Sequence, residues 1–179
     1  MNKYIVLFRG INVGGNNIIP MKDLREILED IGCVEVQTYI QSGNVVLQSA
    51  EKNSKKLTKE ISKRVIANNG FEPKVMLLQL SDFQTAIKNN PFKTVEGKTL
   101  HFFFLDTPSA SPDLKQIEAI KSANEEFQLI NNVFYLYAPD GIGRSKLASK
   151  VEKCLGVPVT ARNWNTVRKL ISLAEKATT

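Results

Sequence analysis

The residues best suited to chemistry lie in Arg9-Gly10-Ile11-Asn12-Val13-Gly14-Gly15-Asn16-Asn17, directly after the apolar run Tyr4-Ile5-Val6-Leu7-Phe8. Three glycines admit backbone angles that other residues resist, so the segment can wrap closely around a bound group. Arg9 and the asparagines supply donors, and an anionic or strongly polar ligand is what such donors receive. A second polar stretch, Tyr39-Ile40-Gln41-Ser42-Gly43-Asn44, runs from the end of a strand into a hairpin turn at Ser42-Gly43-Asn44. Two further stretches complete the inventory: Asp140-Gly141-Ile142-Gly143-Arg144-Ser145-Lys146 and Thr160-Ala161-Arg162-Asn163-Trp164-Asn165-Thr166. The candidate ligand-binding residues are therefore Arg9, Gly10, Asn12, Gly14, Gly15, Tyr39, Ser42, Gly43, Asn44, Arg144, Lys146, Arg162, Asn163 and Trp164.

Several chemistries find no residues to carry them. Gly10 to Asn17 has the spacing of a phosphate-binding loop, but Asn16 stands in place of its lysine and Asn17 in place of its magnesium-binding hydroxyl. With Pro20 marking its start, the following helix also begins too late for such a loop. His101 is the single histidine and has no G-x-S-x-G elbow to serve. Cys33 and Cys154 form no C-x-x-C pair, read as reduced and buried, and leave no zinc set. No metal or cofactor is expected. Any catalysis would rest on electrostatic stabilisation by arginine, with Ser42 and Tyr39 as possible reacting groups.

The elements that position these residues follow from periodicity. Tyr4 to Phe8 is a buried strand, and Leu24, Ile27, Leu28 and Ile31 mark one face of a helix ended by Gly32. Val34 to Gln41 and Val45 to Gln48 make a hairpin. Ser54 caps a helix with Leu57, Ile61 and Val65 inward, and a strand from Pro73 to Leu78 closes the set. The order strand, helix, strand, strand, helix, strand is the split β-α-β pattern. It recurs with strands at 100–105, 127–130, 133–137 and 157–160, a helix capped and started by Ser111-Pro112, and another from Ser145 to Leu155. Ser54-Lys55-Lys56-Leu57 corresponds to Ser145-Lys146-Leu147, and Pro73 to Pro158.

The expected fold is thus α+β: two tandem ferredoxin-like (βαββαβ) units and a C-terminal helix. Residues 1–80 form the first unit, 81–98 a helical linker around Phe83 and Ile87, and 99–179 the second unit with a last helix capped by Asn163. In such a unit the loop after the first strand and the hairpin of strands two and three open at the same end. Arg9, Asn12, Asn16 and Asn17 then face Ser42, Gly43 and Asn44. In the second unit Arg144, Lys146 and Arg162 are expected around a helix N-terminus at Ser145, which receives anions. The two clusters are expected to meet in one cleft between the units.

Composition is that of a globular protein, 42% hydrophobic and 23% charged, and the longest apolar runs fall far short of a membrane span or signal core. The chain reads as cytoplasmic, without a membrane partner, and its oligomeric state is open. A net charge of +6 favours anionic partners. A small anionic or phosphorylated ligand, metabolite or nucleotide, is the first expectation. The alternative is a nucleic-acid (RNA) binding module using Lys55, Lys56, Lys59, Lys63 and Arg64 with Phe102, Phe103, Phe104, Phe134, Tyr135 and Tyr137, although a packed sheet wants the same rings. A third reading, a protein-interaction domain, would show an exposed apolar patch.

The segments Arg9 to Gly15, Met21 with Leu24, Tyr39 to Asn44 and Thr160 to Thr166 closely resemble a bacterial family catalogued as domain of unknown function 1697. The resemblance implies a compact α+β fold with duplicated ferredoxin-like units and brings no activity, cofactor or catalytic residue. Similar proteins often carry lysine where this chain has Asn16, which weakens an argument from a cation in the loop.

Overall fold

The computed structural model describes residues 1–93 and 95–176. The chain divides into two units, Met1–Thr85 with the segment from Lys169 onward, and Ala86–Arg168.

In the first unit β1 (Asn2–Arg9) is followed by α1 (Met21–Asp30), β2 (Val34–Tyr39), β3 (Asn44–Ser49), α2 (Ser54–Asn69) and β4 (Lys74–Gln79). The sheet order is β2-β3-β1-β4, with each neighbouring pair antiparallel. β1 is central, and Tyr4 through Phe8 are all fully buried, as its unbroken apolar run requires. Tyr4, Val6 and Phe8 pack with Val45 and Leu47 against Leu24, Ile27 and Leu28 of α1 and Leu57, Ile61 and Val65 of α2. That burial is what holds the two helices to one face, since each carries a single apolar stripe at helical spacing.

Strand register sets where the polar segments lie. Leu7 stands opposite Asn44, so the end of β1 lies beside the start of β3. The connection leaving β1 and the hairpin tip between β2 and β3 therefore share one end of the sheet, as expected.

The second unit holds β5 (Leu100–Leu105), α4 (Leu114–Ile120), β6 (Glu126–Ile130), β7 (Val133–Tyr137), α5 (Val151–Leu155) and β8 (Val159–Asn163), in the order β6-β7-β5-β8 and again antiparallel. Phe103, Leu105, Phe134 and Leu136 form its core with Ile117, Leu147, Val151 and Leu155. α3 (Leu80–Lys88) and α6 (Trp164–Lys176) each carry residues of both units.

Four local expectations are corrected. Asn53, not Ser54, caps α2: its side chain accepts the Lys56 N–H at 3.1 Å. Asp113, not Ser111, caps α4 by accepting the Gln116 N–H at 3.0 Å. No helix runs from Ser145 to Leu155; residues 142–144 and 148–150 are 3-10 turns and α5 starts only at Val151. Ser145 still accepts the Ala148 N–H, but what it caps is a short turn. Finally the last strand, expected over 157–160, is β8 and runs through Asn163, so Ala161 and Arg162 are strand residues rather than a loop.

Candidate functional site

The segment after β1 folds into a small hairpin of its own. Asn12 N–H donates to Asn17 O at 3.1 Å and Asn16 N–H to Val13 O at 3.0 Å, closing a two-residue turn at Gly14-Gly15. Both glycines have positive φ, +59° and +75°, which is what a turn of the primed kind demands and what glycine adopts without a steric penalty. Both are exposed, so main chain faces solvent at the tip.

The asparagines hold this hairpin in place. Asn12, itself at φ +53°, donates from Nδ2 to Ile19 O and to Gln41 O and accepts the Ile19 N–H at Oδ1, over 2.9, 2.8 and 2.8 Å. Asn17, at φ +52°, donates from Nδ2 to Gly10 O at 2.9 Å, and Asn16 to Gly14 O at 3.3 Å. Asparagine tolerates left-handed backbone better than most residues, which suits these positions.

The neighbouring hairpin tip is braced in the same way. Asn44 is fully buried and donates to Tyr39 O and Ser42 Oγ at 3.1 and 3.0 Å, while Phe8 N–H donates to Gly43 O at 2.8 Å. A Cβ on Gly43 would lie 2.6 Å from Phe8 Cβ and from Ile11 Cδ1, so the two segments touch at a point only glycine allows. Ile40 has φ +52° and is 49% exposed, a strained position for a β-branched residue at the edge of the cluster. Val13 and Ile18 are also among the exposed large apolar residues. Arg9, half-buried, ends β1 at the base of the hairpin, Ser42 is exposed, and the Lys169 ammonium sits 5.9 Å from the centre of the Tyr39 ring.

The second polar set is built differently. Arg162 lies opposite Phe102 in β8, its Nη1 donates to Ala161 O at 2.8 Å, and burial pulls its guanidinium down to about 10, which leaves it charged at neutral pH. Asn163 Oδ1 accepts the Thr166 N–H at 2.9 Å and caps α6 as expected. Trp164 stacks on Phe102 with ring centres 5.3 Å apart and has the Arg168 guanidinium 5.8 Å from its centre. Arg144 and Lys146 are exposed, and the helix N-terminus expected beside them is replaced by the 3-10 turns. The aromatic platform is closed as well. Phe102, Phe104, Phe134 and Tyr135 are 2% exposed or less, and Tyr135 Oη donates to Ala86 O, so these rings are core. Asp23, Glu26, Glu29 and Asp30 of α1 all face solvent.

Residue types give no sign of the part played by Ile19, whose main chain both donates to and accepts from Asn12, or by the carbonyl of Gln41. Main-chain partners leave no side-chain signal; the density of asparagine is their one trace in the sequence. Among the described residues no group of three metal-ligating side chains occurs, and no helix is long and apolar enough to cross a membrane.

The family model described as "Protein of unknown function (DUF1697)" matches residues 1–135. The matched span contains the segments at 9–17 and 39–44 and stops short of Thr160–Thr166. Among solved structures, the chain is similar to that of a conserved bacterial protein from Streptococcus pneumoniae, with 26% identity over 97% of this chain and 98% of that one and a TM-score of 0.70. No curated protein matches the chain.

Proposed function

The chain belongs to the DUF1697 family of proteins of unknown function, and we propose that it binds a small anionic or phosphorylated ligand, a metabolite or nucleotide, where the 9–17 hairpin meets the tip at 40–44 in the first unit. One observation carries this reading. Asn12 has its whole amide engaged in joining the two segments, and the product of that bracing is an exposed glycine turn on a hairpin with Arg9 at its base rather than a packed core. A site whose backbone is fixed before the ligand arrives loses little conformational entropy on binding. Arg9 supplies charge, main-chain N–H groups of the turn supply directed donors, and the exposed Ser42 hydroxyl stands at the rim.

We further read each unit as ferredoxin-like and the pair as an internal duplication. Support comes from the shared order of second, third, first and fourth strands in the two sheets, and from Pro73 and Pro158, each directly before the last strand. A second functional reading, RNA binding, is favoured by a different observation: Lys55, Lys59 and Lys63 recur every four residues on α2 and all three are exposed. The rings of Phe102, Phe103, Phe104, Phe134 and Tyr135 are buried and take no part in it.

A thermal-shift panel of nucleotides, sugar phosphates and short RNA, on the wild type and Arg9→Ala, separates these readings. Ligand at a hundred times its Kd adds about 2.7 kcal/mol, several degrees for a chain of this size. Stabilisation by a small anion that Arg9→Ala abolishes supports the first reading. Stabilisation by RNA alone, falling steeply with salt, supports the second.

A further inference from the structure

A cavity of about 460 Å³ in the second unit is lined by Asp113, Gln116, Ile120, Lys150, Lys153 and Cys154. The volume falls in the range of small-molecule sites, roughly 300–1,000 Å³. Its walls follow from helical spacing. Asp113, Gln116 and Ile120 stand at i, i+3 and i+7 along α4 from its cap onward, beside the inward-facing Ile117, while Lys150, Lys153 and Cys154 stand at i, i+3 and i+4 leading into α5. The main-chain N–H of Asp113 donates to Cys154 O at 2.8 Å and pins the two walls together at one end.

Three exposed charged side chains border this space. Neither Lys150 nor Lys153 takes part in an ion pair among the described residues, and neither does Asp113, although all three border one cavity. No ion pair between these walls therefore closes the cavity. Asp113 has one oxygen engaged by the Gln116 N–H, and the second is an acceptor only. Ile120 and the nearly buried Cys154 give the cavity an apolar side.

From this arrangement we propose a second ligand site, distinct from the 9–17 hairpin, for a hydroxyl-bearing phosphate monoester of sugar-phosphate size. The phosphate lies between the Lys150 and Lys153 ammonium groups, and a ligand hydroxyl donates to Asp113. Two ammonium groups match a dianionic head, and a carboxylate across the cavity makes a bare anion the weaker ligand while accepting a neutral donor.

The test is an amide chemical-shift titration of the full ¹⁵N-labelled chain with glucose 6-phosphate, glucose and inorganic phosphate. Saturable shifts at residues 113–120 and 150–155 are expected with glucose 6-phosphate, none with glucose, and weaker ones with phosphate. Lys150→Ala with Lys153→Ala, both exposed, should weaken binding roughly tenfold or more, since each charged hydrogen bond contributes about that factor. Asp113→Asn retains an oxygen for the cap and should lower affinity for the sugar phosphate but not for phosphate. Millimolar glucose 6-phosphate that leaves these amides unmoved, or that shifts them equally in the double lysine variant, overturns the proposal. Shifts confined to 9–17 and 40–44 also overturn it, while agreeing with the site proposed in the first unit.

Discussion

Asn12 Nδ2 lies 2.8 Å from Gln41 O, and this hydrogen bond ties the connection after β1 to the hairpin tip between β2 and β3. The same side chain makes both a donor and an acceptor contact with the main chain of Ile19. Asn12→Ala removes all three hydrogen bonds, strands polar main-chain groups and keeps a non-glycine residue at φ +53°. Each lost bond contributes about 0.5–1.5 kcal/mol, so a loss of roughly 2–4 kcal/mol is expected in urea unfolding. Asn12→Asp retains only the acceptor and sets a carboxylate against two carbonyls; it should be no milder. Wild-type stability in either variant would show that the bracing is not made in solution.

Gly43→Ala tests the closest approach in the same cluster. The added methyl meets Phe8 Cβ at 2.6 Å, and φ +81° disfavours any side chain. Left-handed backbone costs about 1–2 kcal/mol and overpacking about 1–3 more. The expected result is a drop in midpoint of unfolding larger than that of Gly70→Ala, where φ is +76° but no atom lies within 4 Å.

Two adjacent residues distinguish the cap of α2. Asn53→Ala should destabilise the chain by about 1 kcal/mol, because the Lys56 N–H loses its acceptor. Ser54→Ala should change stability by a few tenths at most, since Ser54 is already in the first helical turn. The reverse ranking would return the cap to Ser54.

His101 gives the fold a pH dependence whose sign is fixed. It is 7% exposed in β5, its Nδ1 has no hydrogen-bond partner, and burial lowers its pKa from 6.5 to about 4. The unfolded chain therefore binds a proton that the folded one refuses between these values. Stability is complete above pH 6.5 and falls by roughly 3 kcal/mol as the pH drops to about 4. His101→Phe should remove that component of the acid slope, measured by denaturant unfolding across the range.

The framework is readable from the sequence where periodicity is strong. The continuous run Tyr4 to Phe8 and the stripe Leu24, Ile27, Leu28 have few structural solutions, and both stand in the structure as expected. The Gly14-Gly15 turn is legible only as flexibility, because nothing in the letters says that Asn12 and Asn17 close a hairpin around it. Ser145 misleads because a serine before Lys146 and Leu147 looks like a cap, yet Gly141 and Gly143 precede it and the backbone makes 3-10 turns rather than a full helix. The polar residues around Arg162 suggest a loop; main-chain pairing with β5 decides otherwise. The asparagines of the candidate site look like ligand donors, whereas the structure has their amides on neighbouring main chain.

The site proposed at the end of the first unit receives a small anion. The most direct measurement follows the amide resonances of Gly10, Gly14, Gly15 and Gly43 in the labelled full chain while the nucleotide or sugar phosphate giving the largest thermal shift is added. Saturable movement of these four amides in the wild type, lost in Arg9→Ala with the rest of the spectrum unchanged, is the predicted result. Four stationary amides, with the ligand saturating elsewhere or no panel member binding, would contradict it.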